Sequence, residues 1–87
     1  YQLEYGTSSI ELHMDSGISK TDKVVIVDDL VATGGTALAV ATLVSENFGI
    51  PLENILVLAV IDIGECDGGT KISSKGYNYH TLFQSIL

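Results

Sequence analysis

"VVIVDDLVATGGT", residues Val24 to Thr36, decides how the rest of the chain is read. Val24 to Val27 are β-branched and apolar, too few for a helix and apolar on both faces. That predicts a strand from the middle of a parallel sheet. Two adjacent carboxylates, Asp28 and Asp29, close the strand, and a short connection leads to Gly34 and Gly35 between Thr33 and Thr36. From Thr36 to Phe48 the apolar Leu38, Ala41, Leu43, Val44 and Phe48 fall largely on one helical face. Gly49 supplies a left-handed stop, and Pro51 prevents continuation.

The flanks extend this pattern. "NILVLAVIDI" reads as a second fully buried strand, "GECDGGT" as a flexible loop, and "YHTLFQSIL" as a last strand. Upstream, Ile10, Leu12 and Met14 alternate with polar residues in "SIELHM", the period of a half-buried strand, and "DSGISKTDK" is a polar loop. Strand, helix, strand in this order forms a right-handed βαβ unit, so the fold class is α/β, a parallel β-sheet core flanked by helices.

In such sheets ligands sit beyond the carboxyl ends of the strands, where the chain turns into the next helix. Residues 32–36 occupy that corner. Glycine lets backbone approach a ligand closely, and the first N–H groups of a helix have no internal partner and favour an anion. The hydroxyls of Thr33 and Thr36 add donors. A phosphate monoester fits, although neither GxxxxGK[ST] nor GxGxxG occurs. Carboxylates repel phosphate, so Asp28 and Asp29 serve sugar hydroxyls or a divalent cation instead. Phosphate at one end and a vicinal diol at the other describe a ribose 5-phosphate.

Each feature alone has a plainer reading: paired aspartates as a solvated turn or helix cap, TGGT as an ordinary connection. Their combination after a buried strand favours a site. The other reactive side chains do not converge. His13 reads as an outward strand residue, His80 has no partner at a recognisable spacing, and Cys66 has no second cysteine. Asp62 and Glu65 read as solvated or structural, and the tail tyrosines as core or interface.

Composition narrows the function classes. The 87 residues allow one small domain, and 46% hydrophobic content supports a core. Four lysines and no arginine oppose eleven acids, a net charge of -7, which argues against nucleic acid or an anionic membrane as partner. A lone cysteine fits a reducing cytoplasm, and no apolar run approaches the ~20 residues that cross a bilayer.

"VVIVDDLVATGGT" resembles the phosphoribosyl-diphosphate motif of type I phosphoribosyltransferases: apolar strand, acidic pair, then a small-residue loop with hydroxyls. The spelling "ATGGT", with "LEYGTSSIELH" upstream, is similar to the adenine phosphoribosyltransferase branch. "LAVIDIGECDGGTKI" resembles its next strand and "L-x-G-R" turn, with Gly69 where the arginine stands, so no role is carried over there.

The resemblance implies transfer of the 5-phosphoribosyl group from phosphoribosyl diphosphate to N9 of adenine, giving AMP and diphosphate. It implies that Asp28 and Asp29 hold the ribose hydroxyls, that Ala32, Thr33, Gly34, Gly35 and Thr36 cradle the 5′-phosphate, and that Glu4 and Tyr5 are catalytic-loop residues. Glu4 is expected outside any regular element. Mg²⁺ is expected to enter mainly through the substrate diphosphate, with no direct protein ligand. The family is about twice this length, so residues 1–87 are expected to be the C-terminal half of one domain. The N-terminal half is then its partner, a homodimer its assembly, and the 87-residue piece inactive alone. Two alternatives remain: a type I phosphoribosyltransferase for another base, or a non-catalytic phosphoribosyl-diphosphate-binding regulator.

Overall fold

A computed structural model of the chain describes residues 2–5, 8–11 and 18–85, and of residues 2–5 and 8–11 the backbone alone. His13 lies outside the described residues. Strands β1 (Gln2–Tyr5) and β2 (Ser8–Glu11) form an antiparallel hairpin that pairs Glu4 with Ser9 and Tyr5 with Ser8. Glu4 and Tyr5 thus belong to a strand, not to irregular chain as expected. Ladder hydrogen bonds satisfy backbone groups that a loop would leave to water.

The main sheet consists of β3 (Val24–Val31), β4 (Ile55–Ile63) and β5 (Asn78–Ser85), all parallel, in the order β3-β4-β5. Helix α1 (Gly35–Phe48) connects β3 to β4, and α2 (Gly68–Ser74) connects β4 to β5. Adjacent parallel strands joined in sequence by crossovers of one hand receive their helices on one face. The core agrees: Ala37, Ala41 and Val44 of α1 and Ile72 of α2 share one cluster with Ile55, Val57 and Ala59 of β4. Alanines at the helix–sheet contact let the backbones approach closely. Gly49 ends α1 at φ 66, with the Ser45 hydroxyl donating to the Ile50 carbonyl at 3.0 Å.

Three expectations are corrected. Strand β3 does not end on its acidic pair; it continues through Leu30 to Val31, whose side chain is buried against the helices. "GECDGGT" is not a flexible loop, since Gly64–Cys66 form a 3₁₀ turn and Gly68 opens α2. Glycine and serine are weak helix formers, so α2 is carried by the burial of Ile72 rather than by propensity. Strand β3 is also an edge, not a middle strand, among the described residues.

The face of the sheet away from the helices is bare. Val25 is 55% exposed, Val27 67% and Leu82 55%. Register places Val25 beside Leu56, and Val27 beside Leu58, in one apolar surface. Parallel strands are normally covered on both faces. The described residues cover one.

Candidate functional site

The site forms where β3 gives way to α1. Gly34 is the N-cap of α1 at φ 85 and ψ 0, a left-handed conformation that disfavours a Cβ. Only its carbonyl engages the helix here, accepting from the Leu38 N–H at 2.9 Å. No side chain caps α1, and its first turn carries no acidic residue. The initial N–H groups of a helix need partners from outside it, and a 14-residue helix presents the positive end of its dipole there. This end of the helix is electrostatically suited to an anion.

A cavity of about 120 Å³ opens at this point, lined by Asp28, Leu30, Val31 and residues 32–37. Pockets for whole drug-sized ligands run from about 300 Å³ upward, so this is a subsite of phosphate and part-sugar dimensions. Thr33, Gly35 and Thr36 are exposed, Ala32 is half-buried and Gly34 is buried. A Cβ built on Gly35 would meet only the Thr33 hydroxyl, at 3.9 Å, which leaves the mouth of the cavity open.

The acidic pair sits on one rim. Asp28 is half-buried and lines the cavity; Asp29 is exposed and is not part of the lining. Strand alternation turns Asp29 out of the cavity wall, while its carboxylate stays near that of Asp28 at the rim. Burial raises the Asp28 pKa above the usual carboxylate value, and the neighbouring Asp29 charge raises it further. Two hydrogen bonds from backbone N–H groups oppose the rise, including a long one from Leu30 at 3.4 Å. Two near carboxylates of which one is partly desolvated accept hydroxyl hydrogens readily, or a cation.

The other marked residues separate from this group. Asp62 is 6% exposed and accepts the Tyr79 phenol at 2.6 Å. Burial, then this contact, push the Tyr79 pKa well up, so the phenol keeps its proton and Asp62 is structural. The Gly69 space is explained as well: a Cβ there would strike the Tyr79 ring and come within 2.9 Å of the Asp62 carboxylate. His80 and Glu65 are exposed, Tyr77 is in the core, and Cys66 is a half-buried free thiol. Among the described residues no three of His, Cys, Asp or Glu gather as metal ligands, and no helix is long and apolar enough to cross a membrane. The side chains of Glu4 and Tyr5 lie outside the described ones.

Leu30, Val31 and Ala37 also line the cavity, and the sequence reading did not mark them. Their apolar character signals core, and only the turn of the chain brings them to the cavity wall.

No protein-family model matches the chain. A curated relative, an adenine phosphoribosyltransferase from Pelodictyon phaeoclathratiforme, is 49% identical over 94% of this chain, which covers 44% of the relative. Among solved structures, the adenine phosphoribosyltransferase of Giardia lamblia, complexed with 9-deazaadenine, superimposes with a TM-score of 0.80 at 28% identity. It matches 91% of this chain and 42% of its own. The Trypanosoma brucei adenine phosphoribosyltransferase, in complex with AMP, pyrophosphate and ribose-5-phosphate, gives a TM-score of 0.65 at 26% identity, covering 80% of this chain and 31% of that one. The chain spans less than half the length of these proteins. With this sequence likeness and the shared parallel sheet, the chain has the type I phosphoribosyltransferase fold and is similar to the C-terminal half of adenine phosphoribosyltransferases.

Proposed function

We propose that the protein carrying this chain is an adenine phosphoribosyltransferase. It transfers the 5-phosphoribosyl group from phosphoribosyl diphosphate to N9 of adenine and releases AMP and diphosphate. One observation carries the reading: an uncapped helix N-terminus and an acidic residue on the preceding strand line one small cavity. Anion donors and hydroxyl acceptors in one cavity suit a ribose 5-phosphate. The ligands named for the Trypanosoma neighbour, AMP, pyrophosphate and ribose-5-phosphate, are the expected set.

In this reading the backbone N–H groups of residues 32–36 and the hydroxyls of Thr33 and Thr36 hold the 5′-phosphate. Asp28, from inside the cavity, and Asp29, from its rim, accept hydrogen bonds from the ribose 2′- and 3′-hydroxyls. Each charged hydrogen bond is worth about 1.5–3 kcal/mol. With both ends of the sugar fixed, C1 is presented in one orientation to the incoming base. Bond breaking to diphosphate runs ahead of bond making to N9, so positive charge develops on the ribose, and nearby carboxylates stabilise it. Glu4 and Tyr5 act when their segment closes over the reacting centre and excludes water; Glu4 assists proton movement at the base.

Mg²⁺ suits this donor set. It prefers oxygen ligands and would take them from the substrate diphosphate and from water, with the carboxylates of Asp28 and Asp29 lying beside the sugar and favouring a cation there. When bound, the ion would supply positive charge to the diphosphate.

Residues 1–87 make up the C-terminal half of one domain. The other half supplies the adenine pocket and the basic groups for diphosphate, which four lysines and no arginine do not provide. It also covers the bare face of Val25, Val27 and Leu82. The enzyme is cytoplasmic and homodimeric, as the resemblance implies. Incubating the complete protein with phosphoribosyl diphosphate, Mg²⁺ and each free base tests the proposal. AMP formed from adenine is the expected product. A nucleotide formed only from another base, or from none, refutes it.

A further inference from the structure

We propose that Gly68 is a positioning residue for the phosphate loop, holding the backbone of residues 32–34 in place from behind; this rests on the phosphate reading given above. A Cβ built on Gly68 would strike the Ala32 carbonyl oxygen and lie 2.7 Å from the Gly34 nitrogen and 2.9 Å from the Thr33 carbonyl carbon. The contact is reciprocal. A Cβ on Gly34 would lie 2.9 Å from the Gly68 carbonyl oxygen and 3.1 Å from its Cα. Both glycines are buried. Backbone therefore rests directly on backbone, with no side chain between that can rotate away.

The turn pressing on the loop is itself held. Asp67 enters it at φ 57, an uncommon conformation for a residue with a Cβ. Gly69, the residue after Gly68, meets not the loop but the Tyr79 ring and the Asp62 carboxylate. The 2.6 Å hydrogen bond between those two joins β5 to β4. Gly68 thus transmits the rigid end of the sheet to a loop that has no side-chain cap of its own.

This matters because a site made of backbone N–H groups has no rotamers with which to recover from displacement. Hydrogen bonds weaken steeply with angle, and several amides aimed at one phosphate lose alignment together. A methyl at Gly68 is therefore expected to act on phosphate affinity beyond its effect on folding.

The test titrates ribose 5-phosphate calorimetrically into the unmodified protein, Gly68→Ala and Gly69→Ala, with thermal melts of all three. Gly69→Ala crowds the same turn against Tyr79 and Asp62 rather than the loop, so it separates lost stability from lost position. Expected are a lowered Tm in both variants, affinity weakened about tenfold or more in Gly68→Ala alone, and shifted Thr33–Gly35 amide resonances in that variant. Equal affinity in Gly68→Ala and Gly69→Ala overturns the inference and leaves the phosphate reading standing. An unmodified protein that binds no ribose 5-phosphate overturns the reading, and the inference with it. Should Gly68→Ala not fold, the unmodified protein still decides: saturating ribose 5-phosphate is expected to shift the Gly68 amide along with those of residues 33–35, and not that of Gly76. A Gly68 amide that stays put overturns the inference.

Discussion

Replacing Asp28 by asparagine should move binding and stability in opposite directions. Asp28 lines the cavity with a raised pKa, caused first by burial and then by Asp29. For a carboxylate whose folded pKa lies above its unfolded one, the folded state binds the extra proton. Its stabilising contribution is complete below the unfolded value of about 3.9 and is lost as pH rises through the folded value. At neutral pH the ionised carboxylate therefore opposes folding. Asparagine removes that charge and keeps the shape; the backbone bond it gives up is long, 3.4 Å from the Leu30 N–H. Little stabilisation is lost and a repulsion is relieved, so Asp28→Asn should melt higher at pH 7. The gap should close toward pH 3.5, where the native carboxyl is protonated as well. Binding pays the opposite way. Losing a charged hydrogen bond to a ribose hydroxyl costs about 1.5–3 kcal/mol, roughly a ten- to 150-fold rise in the Kd for phosphoribosyl diphosphate. Melts from pH 3.5 to 8 and calorimetric titration of the complete protein measure both halves. A variant with lower Tm at pH 7 refutes the electrostatic argument, and one with unchanged affinity refutes the ribose assignment.

Tyr79→Phe leaves the buried Asp62 without its phenol, and urea unfolding should show a loss of about 1–3 kcal/mol. Val27→Lys on the bare face should leave the melting of residues 1–87 nearly unchanged while weakening their association with a separately expressed N-terminal half; undiminished association in a pull-down places that half elsewhere. Glu4→Gln in the complete enzyme should lower kcat about a hundredfold with KM nearly constant, because its contribution arises when the segment closes. A near-native kcat in steady-state adenine conversion removes Glu4 from the site.

The elements legible in the sequence were those whose signals are local. Four consecutive β-branched residues, a helical apolar face ended by Gly49, and the apolar run before Asp62 specify β3, α1 and β4 without reference to the rest of the chain. The candidate site was legible for the same reason: acidic pair, glycines and hydroxyls are contiguous from Asp28 to Thr36, and one strand-to-helix turn brings them together. Helix α2 was not legible, because its glycines and serines argue locally for a loop and only the burial of Ile72 beneath the sheet outweighs them. Nor did the sequence show that Asp28 enters the cavity while Asp29 stays outside its lining, since that depends on β3 continuing to Val31. The apolar run Val24–Val27 announced two faces seeking cover; the tertiary structure showed that the helices of this chain cover one, because both crossovers lie on the same side. The contact between Gly34 and Gly68 belongs wholly to the tertiary structure: 33 residues separate them in the chain, and only parallel strands β3 and β4, ending side by side, bring the two turns into contact.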